Sequence, residues 1–372
     1  MVFNKGGAMK RFEVVLLALM ATAFACVQAQ PVQTENVVLI TLDGLRWQEL
    51  FTGADSSLVW NEEFVDDAEV LAAKFWRDTP EERRQQLMPF FWEVVAENGV
   101  VYGNRQLGNK VDVTNGHVFS YPGYNEILTG FADETIDSND KIPNENVTVL
   151  EWLNRQPEFS GKVAAFASWD VFPYIINEDR SGIPVNAGFE NVTGSISANI
   201  SEKEALLNRL QSEVVTPWSW ERFDAITHHL ALEHLAVRQP RVLYLAYGDT
   251  DELAHAGDYA GYLDGTRRTD AYIEEIWNWI QSSAKYRGKT SLVIATDHGR
   301  GWNERWVGHG VDWEGSSAIW MAVIGPDTPS LGEVADTGQL YQNQIAATVA
   351  ALLGLEYNNT QPVGRPVLSA IR

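Results

Sequence analysis

Asn36-Val37-Val38-Leu39-Ile40-Thr41-Leu42, followed at once by Asp43-Gly44, is the stretch that decides the fold. Its near-continuous apolar run is the pattern of a strand buried on both faces, and such strands belong to parallel sheets covered by helices. Comparable runs recur at 162–167, 242–246, 291–295 and 319–324. Helical patterns lie between them. Thr79-Pro80-Glu81-Glu82 opens one, with a capping threonine, proline at the first position and acids in the first turn, and predicts a helix over 80–97. Others are expected at 145–156, 202–213, 222–236, 265–285 and 339–353. The alternation predicts an α/β domain, a three-layer α/β/α sandwich around a mostly parallel sheet.

In such sheets chemistry gathers where strands end at their carboxyl edge. Asp43, Asp251 and Asp297 all follow a predicted strand, so the topology brings them to one rim. Asp297-His298-Gly299 places a carboxylate and an imidazole on adjacent residues, which reach one point only across a turn that Gly299 permits. Asp251 and His255 are four apart and share a face on a helical turn. His309 sits between Gly308 and Gly310. His228, His229 and His234 fall in a helical pattern and read as surface or packing residues, and His117 as loop decoration. Ser120, in Phe119-Ser120-Tyr121-Pro122-Gly123-Tyr124-Asn125-Glu126-Ile127-Leu128-Thr129-Gly130, stands where a polar loop enters a short helix. A serine there is either a helix cap or a group presented beside backbone N–H donors, a natural site for phosphate or sulfate.

Composition narrows the classes. The 372 residues carry a net charge of −22, which disfavours a nucleic-acid duplex or an anionic membrane surface as partner. Lys10-Arg11, an apolar stretch at 14–25 and Val27-Gln28-Ala29 form a secretory signal-peptide pattern over 1–29, too short for a bilayer anchor. Its removal takes away Lys5, Lys10, Arg11 and Glu13 and leaves 25 basic against 49 acidic residues, −24. Cys26 is the only cysteine, and Ala23-Phe24-Ala25-Cys26 is a poor lipidation box. Without it the chain has no disulfide, cysteine nucleophile or thiolate metal site. An exported protein lacking disulfides points to a bacterial periplasm or cell surface. Residues 30–372 read as one catalytic domain with insertions at about 53–100 and 170–235.

The ordered set Asp43, Ser120-Tyr-Pro with Thr129-Gly130, Asp251-x-x-x-His255, Asp297-His298-Gly299 and His309-Gly310 resembles the alkaline phosphatase superfamily, most closely its nucleotide pyrophosphatase/phosphodiesterase-like branch. Residues 341–355 are similar to that family's C-terminal helix. The resemblance implies an alkaline phosphatase-like fold and a metal-dependent hydrolase of phosphoric mono- or diesters. By position, Ser120 is the nucleophile. Asp43, Ser120, Asp297 and His298 hold one divalent ion, and Asp251, His255 and His309 a second, zinc in both sites. Asn139 corresponds to an asparagine that contacts a phosphoryl oxygen. The implied partner is a small phosphate ester, with no membrane span.

The chain departs from the branch at Gly123-Tyr124, where Asn-His is usual. The sulfatase signature, Ser-x-Pro-x-Arg, lacks its arginine here, since Tyr124 stands at that position. Sulfuric-ester or phosphonate hydrolysis is the alternative enzyme reading. A non-catalytic glycan-binding protein using some of the 14 tryptophans is the other. Trp302, Trp306 and Trp313 flank His309 and are candidates to line a pocket.

Overall fold

β1 (Asn36–Leu42) is buried along its whole length, and its side chains divide by parity between two hydrophobic cores. Val38, Ile40 and Leu42 enter one, Val37 and Leu39 the other, as the two-residue period of a strand requires. In chain order there follow β2 (Val100–Tyr102), β3 (Lys110–Asp112), β4 (Val163–Ala167), β5 (Val185–Ala187), β6 (Val242–Tyr247), β7 (Thr290–Ala295), β8 (Ala318–Ile319), β9 (Met321–Ile324), β10 (Gly332–Glu333) and β11 (Gln339–Tyr341). This computed structural model describes residues 1–3, 32–193 and 199–372. The cleavage pattern and Cys26 lie outside the described residues.

The large sheet runs β10-β2-β9-β7-β1-β6-β4-β5. Only β9 is antiparallel to its neighbours β2 and β7. A small sheet, β11-β3-β8, stands apart. Helices Asp224–Arg238 and Tyr259–Ser282 fill one core with Leu230, Leu235, Leu263 and Ile273. Helices Ser120–Thr129, Val149–Asn154 and Ile345–Leu352 fill the other with Ile127, Leu150 and Val349. Helix, sheet and helix make the three layers. Among the described residues no helix is long and apolar enough to cross a membrane.

Three expectations change. The helix predicted over 80–97 stops at Leu87, because Pro89 disfavours helical geometry at Met88 (φ −131°, ψ 70°). Helical turns resume at Pro89 and Phe90, where Asp270 accepts the amides of Phe90 and Phe91 at 2.9 and 2.8 Å. The run 319–324 is two strands in different sheets. Between them Trp320 is fully buried and its indole N–H donates to the Leu45 carbonyl at 2.9 Å. The segment expected as a helix over 339–353 opens as β11 and becomes α-helical only at Ile345.

His228 and His234 prove to be packing residues rather than surface ones, at 0% and 4% exposure. Burial pushes both imidazoles down to about 4. An unfolded histidine titrates near 6.5, so between pH 6.5 and 4 the unfolded chain binds protons that the folded chain refuses. Stability is therefore full above that window and falls as pH drops through it, by up to about 1.4 kcal/mol per pH unit for each group. Urea unfolding at pH 7 and pH 4.5 should show the loss, and His234→Phe should flatten it.

Candidate metal centre

β1 lies between β6 and β7, parallel to both, so the carboxyl ends of all three open onto one rim. Asp43 follows β1 directly, and its N–H donates to the Tyr247 carbonyl at 2.9 Å. Gly44 then turns the chain with φ +59°, a left-handed conformation suited to glycine. β7 delivers Asp297 and His298 two and three residues past its end. Beyond β6, the short helix Asp249–His255 carries Asp251 and His255 on one face. The helix Ser120–Thr129 brings its first turn to the same place.

One group consists of Asp43, Asp297 and His298, each with a donor atom within 4.8 Å of the others. His298 Nε2 lies 3.2 Å from Asp43 Oδ1, 3.4 Å from Asp297 Oδ2 and 3.3 Å from Ser120 Oγ. Its Nδ1 donates to the Gly299 carbonyl at 2.9 Å, which leaves the lone pair on Nε2. Asp43 Oδ2 accepts from the Tyr124 hydroxyl (2.9 Å), and Asp297 Oδ1 from the Gly44 amide (3.0 Å). The other two oxygens, Asp43 Oδ1 and Asp297 Oδ2, are buried and have no hydrogen-bond partner among the described residues. Burial pushes both carboxyls well above the usual carboxylate range, with repulsion from Asp251 on Asp43 and from Asp43 on Asp297 adding to it. Orphaned acceptors and a lone pair converging in a buried pocket fit a divalent cation.

The second group adjoins it. Asp251 Oδ2 is 3.1 Å from His255 Nε2, which is itself 3.0 Å from His309 Nε2. His309 stacks on His298 with ring centroids 3.8 Å apart. Burial holds the His309 imidazole well below its ordinary value, and His298 next to it adds to that, so it stays neutral, the form that ligates metal. All seven residues expected to hold metal are thus within one contiguous group.

Arg300, fully buried, was not singled out in the sequence. Its Nη1 pairs with Asp251 Oδ1. Nε and Nη2 donate to the carbonyls of Trp306 (2.7 Å) and Val307 (2.6 Å), just before Gly308-His309. One guanidinium therefore fastens the Asp251 carboxylate to the loop that carries His309. Burial at Asp251 is offset by Arg300 together with His255 and His309, which hold that carboxyl well below the usual range. If Asp251, His255 and His309 hold a metal ion, Arg300→Gln should weaken it there by about 10–100-fold. Competition with a chromophoric chelator checks this, and an unchanged affinity for both ions would refute it.

Ser120 is the first residue of its helix, and the cap position belongs to Phe119, so the simple helix-cap reading does not describe it. Gly123 lies against the Asp297 carbonyl, where a Cβ would come within 2.6 Å of the oxygen. Glu126, also missed, is fully buried and accepts from Thr114, Asn115 and the Asn343 amide, anchoring the loop ahead of Ser120. Asn139 is exposed beside this helix, and its Oδ1 accepts from the Tyr121 amide at 3.0 Å. His117 stays on the loop with Nε2 3.2 Å from the Glu134 carbonyl. Of the three tryptophans near His309, Trp306 is a core residue packed on Phe64, Tyr259 and Tyr262. Trp313 lies against Gly308, and Trp302 is about half-exposed.

The fold is that of known structures. Alkaline phosphatase PafA superposes over 93% of this chain and 100% of that one, with TM-score 0.61 at 12% identity. Murine ectonucleotide pyrophosphatase/phosphodiesterase 5 covers 91% of this chain and 100% of its own, with TM-score 0.54 at 12% identity. The lipoteichoic acid synthase LtaP from Listeria monocytogenes covers 87% and 73%, with TM-score 0.51 at 12% identity. No family model and no curated protein sequence matches the chain. At these identities the likeness is one of architecture: the chain has the alkaline phosphatase-like α/β fold.

Proposed function

We propose that the chain is an exported, metal-dependent hydrolase of phosphoric esters with Ser120 as nucleophile. The observation that carries this is Ser120 Oγ, 3.3 Å from His298 Nε2 at the edge of the paired carboxylate–imidazole groups. Asp43, Ser120, Asp297 and His298 would hold one ion and Asp251, His255 and His309 the other, and a set of nitrogen and oxygen donors without thiolate suits zinc. Bound there, the ions supply positive charge for the attacking and departing oxygens of an in-line displacement.

The protein's own groups do the rest. In the first turn of helix Ser120–Thr129 the Tyr121 amide donates to Asn139 Oδ1, Pro122 has no N–H and the Gly123 amide donates to the Phe119 carbonyl, so the Ser120 N–H is the donor left for an incoming anionic oxygen. Asn139, tied through Oδ1 to the Tyr121 amide, keeps its amide N–H₂ available for a phosphoryl oxygen. Ser120 Oγ forms the bond to phosphorus, the alcohol departs, and water cleaves the resulting seryl ester. Residues 53–78 and 170–201 act as insertions that set specificity. Sulfuric-ester hydrolysis is disfavoured at Tyr124, whose hydroxyl is committed to Asp43 where the sulfatase signature needs arginine.

The test is hydrolysis of matched nitrophenyl phosphate, nitrophenyl phosphate diester and nitrophenyl sulfate, with metal content measured on the same sample. Turnover of a phosphoric ester, abolished by chelation and restored by zinc, is expected. Two bound metals with turnover of the sulfate alone would move the assignment to sulfuric esters, and a protein that binds no metal would overturn it.

A further inference from the structure

Two residues before Asp251, the same turn carries Asp249, which belongs to a different group. Asp249, Glu221 and Asp224 each offer a carboxylate oxygen within 4.8 Å of the others, and the three are 2%, 4% and 1% exposed. None belongs to the seven residues of the centre described above. Part of this group is satisfied internally. Asp224 Oδ1 accepts from Ser168 Oγ (2.5 Å) and the Gly248 amide (2.8 Å), and its Oδ2 from the Asp249 amide (3.1 Å). Asp249 Oδ1 in turn accepts from the Asp224 amide (3.0 Å). Glu221 is different: its Oε1 is buried with no hydrogen-bond partner among the described residues. Gly248 makes room for it, since a Cβ there would stand 1.9 Å from that oxygen.

Positive charge is scarce around the three acids. The half-exposed Arg268 reaches only 3.7 Å from Asp249 Oδ2. Arg222, beside Glu221 in sequence, is turned away and donates to Thr227 and Asn186 at 2.8 Å and Gln211 at 3.1 Å. Three carboxylates packed out of water repel one another unless they take up protons or a cation. The donors are all oxygens, the choice of hard ions. Calcium accepts six to eight such oxygens in flexible geometry, from carboxylates, backbone carbonyls and water.

We propose that Glu221, Asp224 and Asp249 bind a hard divalent cation, calcium by its preference for irregular all-oxygen ligation, at a structural site distinct from the catalytic centre. The ion ties the turn Gly248-Asp249 to the start of helix Asp224–Arg238, and so steadies the backbone that presents Asp251 two residues on. The inference stands whether or not the phosphoric-ester reading holds.

The full chain, zinc-loaded and freed of other divalent ions by dialysis, would be titrated with calcium by calorimetry and by thermal melting. Binding of one calcium and a rise in Tm are expected. Glu221→Gln, which keeps the shape, should weaken calcium at least tenfold, cancel the rise in Tm, and melt no lower than the parent without calcium. His309→Ala should leave calcium binding intact while losing zinc. Magnesium or manganese bound instead of calcium, and lost in Glu221→Gln, would support the site and change only its ion. No binding of any of the three at millimolar concentration, or a Glu221→Gln protein that binds like the parent, would overturn it and leave three carboxyls sharing protons.

Discussion

Ser120→Ala should lower turnover of the preferred phosphoric ester by at least about 10³-fold, since loss of the nucleophile in a comparable covalent hydrolase costs about 10⁶-fold. The substitution deletes one oxygen and little else. Ser120 is buried, but it does not cap its helix, because Phe119 holds that position without any side-chain hydrogen bond. Alanine is also the strongest helix former. The fold and the position of Gly123 against Asp297 should therefore survive, and Tm should move by no more than a degree or two. Asp43, Asp297 and His298 remain to hold the first ion, so zinc content should stay near that of the parent. The decisive comparison is kcat and metal content on one preparation. Retained activity in a pure sample would remove Ser120 from the mechanism, whereas lost activity with lost metal would make it a ligand alone.

Gly44→Ala should be the most damaging change outside the ligands. At φ +59° an alanine is already strained, by about 1–2 kcal/mol. Its Cβ would also stand 2.6 Å from Asp251 Oδ1, 2.8 Å from Arg300 Nη1 and 3.3 Å from His298 Cε1. The Gly44 amide is the donor that orients Asp297, so any shift of the turn reaches both groups at once. A displacement of about 1 Å at a reacting centre can cost about 10²-fold in rate. We expect kcat/KM to fall by at least that much, with unfolding stability lower by about 2–4 kcal/mol. A variant with parental kcat/KM and normal zinc affinity would show that the turn yields without disturbing Asp251.

The parts of this fold legible in the sequence are those where one local pattern has one meaning. The runs of β1, β4, β6 and β7 are buried on both faces, so every residue is apolar or nearly so, and the parallel sheet follows. The helical spacing of Asp251 and His255 is equally local. The unbroken run at 319–324 hid a change of sheet, because Trp320 is as apolar as the strand residues beside it and only its long-range bond to Leu45 reveals the break. Pro89 marks the break at Met88 in the sequence itself, a signal that the expectation of one helix over 80–97 does not use. Arg300 was missed for a different reason: its partner Asp251 is 49 residues away, and a buried arginine looks like any other in sequence. Glu126 is similar, a charged residue inside an apolar helix whose donors come from Thr114 and Asn115 in the loop ahead of it and from Asn343, 217 residues on. The seven ligand candidates meet in space, while their chemical roles rest on the proposal above.

The strand order also has a consequence in time. β1 is made early, yet one of its two neighbours is β7, and the Gly44–Asp297 hydrogen bond closes a loop of 253 residues. At about 5–20 residues per second, a ribosome needs some tens of seconds to supply that partner. The middle of the sheet must therefore wait until β7 (Thr290–Ala295) has been made, and a product truncated before it would lack the residues of both proposed ion sites. Uptake of the proposed ions would thus report that the chain had been made and folded at least as far as His309.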